Sequence, residues 1–97
     1  MFKFIEDQAN LNSSTQNISR AITSLKEELD AIDVYTQRAY VLDIYLDADL
    51  RNILEHSLKE ELEHAAMLIE YLRKNIPDFN RALSKVLFND EPIDTDH

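Results

Sequence analysis

Glycine is absent from this 97-residue chain and proline occurs only at Pro77 and Pro92, so the residues that usually make tight turns and sheet corners are almost missing. Helices need neither. The sequence therefore predicts an all-α chain with few reversals.

Apolar positions give those helices their bounds. Ser13, Ser14 and Thr15 offer N-caps for a first helix that runs to about Leu42. Along it Ile18, Ala21, Ile22, Leu25, Leu29, Ile32, Tyr35, Ala39 and Leu42 keep the three-and-four spacing of one helix face. The segment DIYLDAD, residues 43–49, is the place for a reversal, with Asp47 or Asp49 as the next cap. A second helix carries Leu50, Ile53, Leu54, Leu58, Leu62, Ala65, Leu68, Ile69 and Leu72, and must end near Asn75 ahead of Pro77. Pro77 and Asp78 suit the first turn of a third, shorter helix through Phe79, Leu83, Val86, Leu87 and Phe88. The expected organisation is a flexible N-terminal arm over 1–12, a helical domain over 13–88 and a flexible tail over 89–97. Phe2, Phe4 and Ile5 on the arm are suited to docking on a neighbour.

So short a chain buries a small share of its surface when it folds alone, and it has no cysteine for a disulfide. A metal, oligomerisation or both must supply the support. Missing cysteines also fit a reducing compartment. No apolar run approaches the roughly 18 residues of a membrane span, and no secretory leader pattern follows Met1, so a soluble, cytoplasmic protein is expected. Acidic residues outnumber basic ones 19 to 10, a formal charge of −9, which repels nucleic acid and attracts cations.

Two long helices joined by a short reversal make an antiparallel hairpin, and a hairpin leaves one side of each helix uncovered. A second copy is the simplest cover, giving a ferritin-like four-helix bundle built from two halves.

The apolar seams are interrupted at three places. Glu28 lies in the stripe of the first helix, and Glu61 and His64 occupy adjacent core-type steps of the second, within KEELEHAAM. A buried carboxylate costs several kcal/mol unless it is paired, protonated or metal-bound. Each chain thus supplies one lone Glu and one Glu-x-x-His. A carboxylate-bridged di-iron site in a ferritin-like bundle takes two of each, so two chains complete the set around a shared pair of iron ions. Carboxylate with imidazole suits iron or manganese. Tyr35, farther along the Glu28 seam, is a candidate hydrogen-bonding neighbour of the ligands. Glu27, Asp30 and Glu63 read as a solvated face, with an acidic approach path for cations as the functional alternative. His56 reads as a surface residue, His97 carries little weight, and Tyr40, Tyr45 and Tyr71 read as packing residues. At this point two other readings stand beside an oxidase: a non-catalytic helical dimer or adaptor, and a structural dimer stapled by zinc or calcium.

The stretches EELDAIDVYTQR (27–38), LEHSLKEELEHAAM (54–67), EYLRKN (70–75) and LFNDEPI (87–93) resemble the encapsulated ferritins, the iron-oxidising cargo of encapsulin nanocompartments. The resemblance covers about Ser19 to Ile93. It implies two antiparallel helices plus a short C-terminal helix, paired through a ferroxidase-centre dimer into a decameric ring inside an encapsulin shell. It implies Glu28, Glu61 and His64 as iron ligands, two ions per dimer, with Tyr35 beside them and Glu27 and Asp30 on the iron approach. The chain departs from the family at Asp30, where a glutamate is common, and at Val34, where a family member has a Trp immediately before the Tyr. Its final residues PIDTDH do not resemble the short targeting peptide that usually ends the family's chains.

Overall fold

The computed structural model describes residues 3–42 and 45–95. Of the residues singled out above, Phe2, Asp43, Ile44 and His97 lie outside them. Within them the chain is all-helical: α1 spans Ser13–Val41, α2 Ala48–Asn75 and α3 Pro77–Val86, preceded by a single 3-10 turn at Gln8–Asn10. Among the described residues there is no strand.

The helix ends show why the chain breaks where it does. The first cap is Asn12, whose Oδ1 accepts from the Thr15 N–H at 2.7 Å, one residue before the serine cluster expected to do this. Asn12 wins because its backbone is extended while Ser13 is already helical. Asp47 caps α2 through a 2.9 Å bond from the Leu50 N–H, and Asp49 sits inside the first turn, where a negative charge faces the positive helix end. α2 stops at Asn75 because Pro77 bars the preceding residue from helical geometry, and Pro77 then opens α3. The third helix is shorter than the expected run: it ends at Val86, Leu87 is extended, and Phe88 takes a positive φ of 57°.

α1 and α2 form the antiparallel hairpin. Its buried positions are mostly small: Ala21, Ala39 and Ala65, joined by Leu72. Small side chains let two helix backbones approach closely, but they fill little volume. α3 is tied to the end of α2 by Arg73, which donates to Asn80 Oδ1 at 2.9 Å and to the Glu70 carboxylate. Those hydrogen bonds are the main reason the Glu70 carboxyl lies below its usual range, against an opposing effect of desolvation, with the Arg73 and Lys74 charges adding. The pair therefore helps the fold above the ordinary carboxylate range and is lost as pH falls through the lowered value. Both side chains remain largely in contact with solvent, so its weight is small. The N-terminal segment lies against α1, where the Gln16 amide donates to Leu11 O at 2.9 Å and Gln8 O at 3.3 Å. The Arg20 guanidinium stands 5.7 Å from the Phe4 ring centre.

Many apolar side chains from the helical stripes stay wet, including Leu29 (51 % exposed), Ile53 (60 %), Leu62 (49 %) and Met67 (62 %). The accessible surface is 7848 Å² for an 11.3 kDa chain, whereas a compact monomer of that mass exposes about 5,700 Å². The excess is larger than the roughly 800 Å² that one partner gives to an ordinary interface.

Leu72, the most buried side chain at 4 % exposure, is the point where this thin core is most vulnerable. Leu72→Ala is expected to cost about 2–4 kcal/mol and Asp47→Ala about 1 kcal/mol, read from urea unfolding at one fixed protein concentration.

Candidate metal centre

Glu28 comes from the middle of α1, and Glu61 and His64 from the middle of α2, one turn apart on one side of that helix. The antiparallel pairing sets them at the same height. One ligand atom from each of the three lies within 4.8 Å of the others, and among the described residues no other His, Asp or Glu joins the group. His64 Nδ1 stands 3.7 Å from Glu28 Oε2 and 3.8 Å from Glu61 Oε2. Both distances are too long for hydrogen bonds. The arrangement is a gap lined by ligand atoms rather than a closed ion-pair cluster.

Burial sharpens the point. The Glu28 and Glu61 side chains are each 23 % exposed, and the His64 side chain 48 %. Glu28 Oε2 is fully shielded and accepts no hydrogen bond. A shielded carboxylate oxygen without a donor is unfavourable by a few kcal/mol, and a cation or a proton is what relieves it. Two carboxylates and an imidazole fit a borderline cation such as ferrous iron, and three ligand atoms leave such an ion open positions.

The other expected residues fall outside this group. Tyr35 is half-buried on the same seam, about 10 Å along the axis from Glu28, and its hydroxyl makes no hydrogen bond among the described residues. Glu27, Asp30 and Glu63 are exposed. His56 is a surface residue paired with Glu60 at 2.8 Å. Tyr40 and Tyr45, expected to pack, are 87 % and 95 % exposed in the single chain. Tyr71 is 38 % exposed beside the seam. What the linear spacing did not reveal is the shielded Glu28 oxygen, which exists only once α2 covers it.

Residues 3–90 match the sequence profile of the family described as EncFtn-like. The chain belongs to that family. This encapsulated ferritin-like chain is 43 % identical over 91 residues to a ferritin-like protein of Thermotoga maritima, covering 94 % of this chain and 77 % of that one. It is 45 % identical over 83 residues to an encapsulated ferritin-like protein of Rhodospirillum rubrum, covering 86 % of this chain and 57 % of the relative. Its fold matches the crystal structure of a protein from Nitrosomonas europaea with a TM-score of 0.86 and 41 % identity, over 95 % of this chain and 98 % of the other. Membership establishes a half ferritin-like helical fold and supports an iron-related role. No helix among the described residues is long and apolar enough to cross a membrane.

Removing the shielded carboxylate tests the group directly. Glu28→Ala is expected to weaken anaerobic Fe(II) or Mn(II) binding by more than about tenfold in a titration, and Glu63→Ala to leave it within about twofold.

Proposed function

We propose that this encapsulated ferritin-like chain is half of a ferroxidase, which binds Fe(II) between two copies and passes its electrons to oxygen. The observation that carries the reading is the convergence of Glu28, Glu61 and a half-exposed His64 around a shielded carboxylate oxygen with no hydrogen-bond partner among the described residues. Two copies about a two-fold axis bring together the two lone glutamates and two Glu-x-x-His pairs that a shared di-iron centre needs.

Each side chain has a distinct task. Glu28, whose Oε2 is shielded, supplies charge that is met by no donor among the described residues, so a divalent ion is favoured there over a monovalent one. Glu61 and His64 share one helix face and so hold their ligand atoms at a fixed separation. Tyr35, two steps along the same seam, is assigned a supporting role, and the exposed Glu27 and Asp30 draw cations toward the centre. Fe(II) is the substrate: two ions give up one electron each, and one oxygen molecule takes both with two protons and leaves as hydrogen peroxide.

The open grooves of this chain cannot retain a mineral, so the ferric product must be stored elsewhere. The Rhodospirillum rubrum relative is described as encapsulated. By that likeness the chain is cytoplasmic cargo of an encapsulin shell, assembled as a decameric ring, with the shell as the iron store.

Anaerobic Fe(II) titration followed by exposure to air tests this. Saturation at one iron per chain is expected, with oxidation far faster than in buffer. Glu61→Ala and His64→Ala are each expected to slow the initial rate by about 100-fold. Binding without oxygen uptake would replace the ferroxidase with a metal-stapled dimer, and no binding at all would leave a helical assembly protein. Iron is also expected to raise the native mass and a chelator to lower it, because ions held between copies are linked to association.

A further inference from the structure

The proposed reaction releases hydrogen peroxide, and what that product meets first is decided by the side chains around the gap. The Glu28 and Glu61 side chains are each 23 % exposed and that of His64 48 %, so within the chain the most open edge of the site is at the imidazole. Carboxylates and alkyl groups do not react with peroxide under mild conditions. The chain has no cysteine and no tryptophan, and its two methionines are Met1 and Met67. A thioether is therefore the side chain of this sequence most readily oxidised by two electrons.

One of the two stands at that open edge. Met67 lies three residues after His64 on α2, a spacing that sets the two Cβ atoms about 5–6 Å apart on one face of the helix. Long side chains on a helix lean back over the turn before them, which for Met67 is the turn of His64. Packing does not account for the residue. Leu68 and Ile69 are the half-buried positions of that turn, whereas Met67 is 62 % exposed and its sulfur is open to a small solute.

We propose that Met67 is a modification site of this chain, oxidised to the sulfoxide by the peroxide that the neighbouring centre releases. The inference rests on the ferroxidase reading, which supplies the oxidant. The thioether sulfur donates an electron pair to one oxygen of hydrogen peroxide, so that a sulfur–oxygen bond forms as the O–O bond breaks. The other oxygen leaves as water, taking the proton of the first. Sulfur loses two electrons and the peroxide gains them, with no radical set free beside Fe(II). The sulfoxide is returned to the thioether by reductases of methionine sulfoxide, so that class of reaction must follow repeated turnover if Met67 is to be renewed. What the step needs is nearness to the source, so its test must separate local peroxide from peroxide in bulk solution.

The test is peptide mass spectrometry of the full chain after anaerobic Fe(II) loading and exposure to air, with catalase and free methionine in the same solution. Catalase removes peroxide that has escaped, and the free methionine reports what catalase misses. Met67 is expected to gain one oxygen atom in proportion to the iron oxidised, at least about tenfold more than the free methionine. Glu61→Ala, given the same iron and air, is expected to keep its Met67 thioether intact. Rapid iron oxidation with Met67 unmodified, or modified no more than the free methionine, would overturn the inference and leave the ferroxidase reading standing. Equal modification of Met67 in wild type and Glu61→Ala would overturn it too, because the oxidant would then come from iron in solution. Iron oxidation no faster than in buffer removes both readings together.

Discussion

A carboxylate shielded from water must have its charge met, and Glu28 in this hairpin has one oxygen that its own chain leaves unmet. Everything around it follows from that constraint. The small residues Ala21, Ala39 and Ala65 bring α1 and α2 close enough to cover the oxygen, and Glu61 and His64 surround the same gap without closing it by hydrogen bonds. An apolar residue at position 28 would pack better. The chain forgoes that stability, which is the pattern of a binding site rather than of a core.

The second constraint is the shortage of interior. Four buried residues among those described, three of them alanine, are few for an independently stable domain, and the surface left in water is far larger than a compact chain of this mass would show. The two constraints have one physical resolution. In the function proposed above, a second copy would cover the apolar face beside the site and bring the ligands that a shared ion lacks, so that association and metal binding would stabilise one another.

Much of this was legible in the sequence because helices are local. The absence of glycine, the position of Pro77 and the three-and-four apolar spacing are properties of neighbouring residues, and they give three helices whose limits the structure shifts by only a residue or two. The cap at Asn12 in place of the serines is such a shift, decided by which residue first turns helical. Glu28, Glu61 and His64 stood out for a similar reason: each sits on a stripe where its neighbours are apolar, and on a helix that pattern fixes the face. Tyr40 and Tyr45, by contrast, are exposed in the single chain, because spacing along a helix says nothing about which element covers the hairpin tip.

The sequence by itself determined the helices, the antiparallel hairpin and which polar residues lie in its seams, because those depend on spacing along one chain. Only the tertiary structure decided that the three ligand atoms meet within 4.8 Å, that Glu28 Oε2 is sealed off from water, and that Phe88 stands exposed at φ 57°. Those facts depend on how closely and at what height two helices pass and on how a helix end is closed. Periodicity along the chain does not encode such distances.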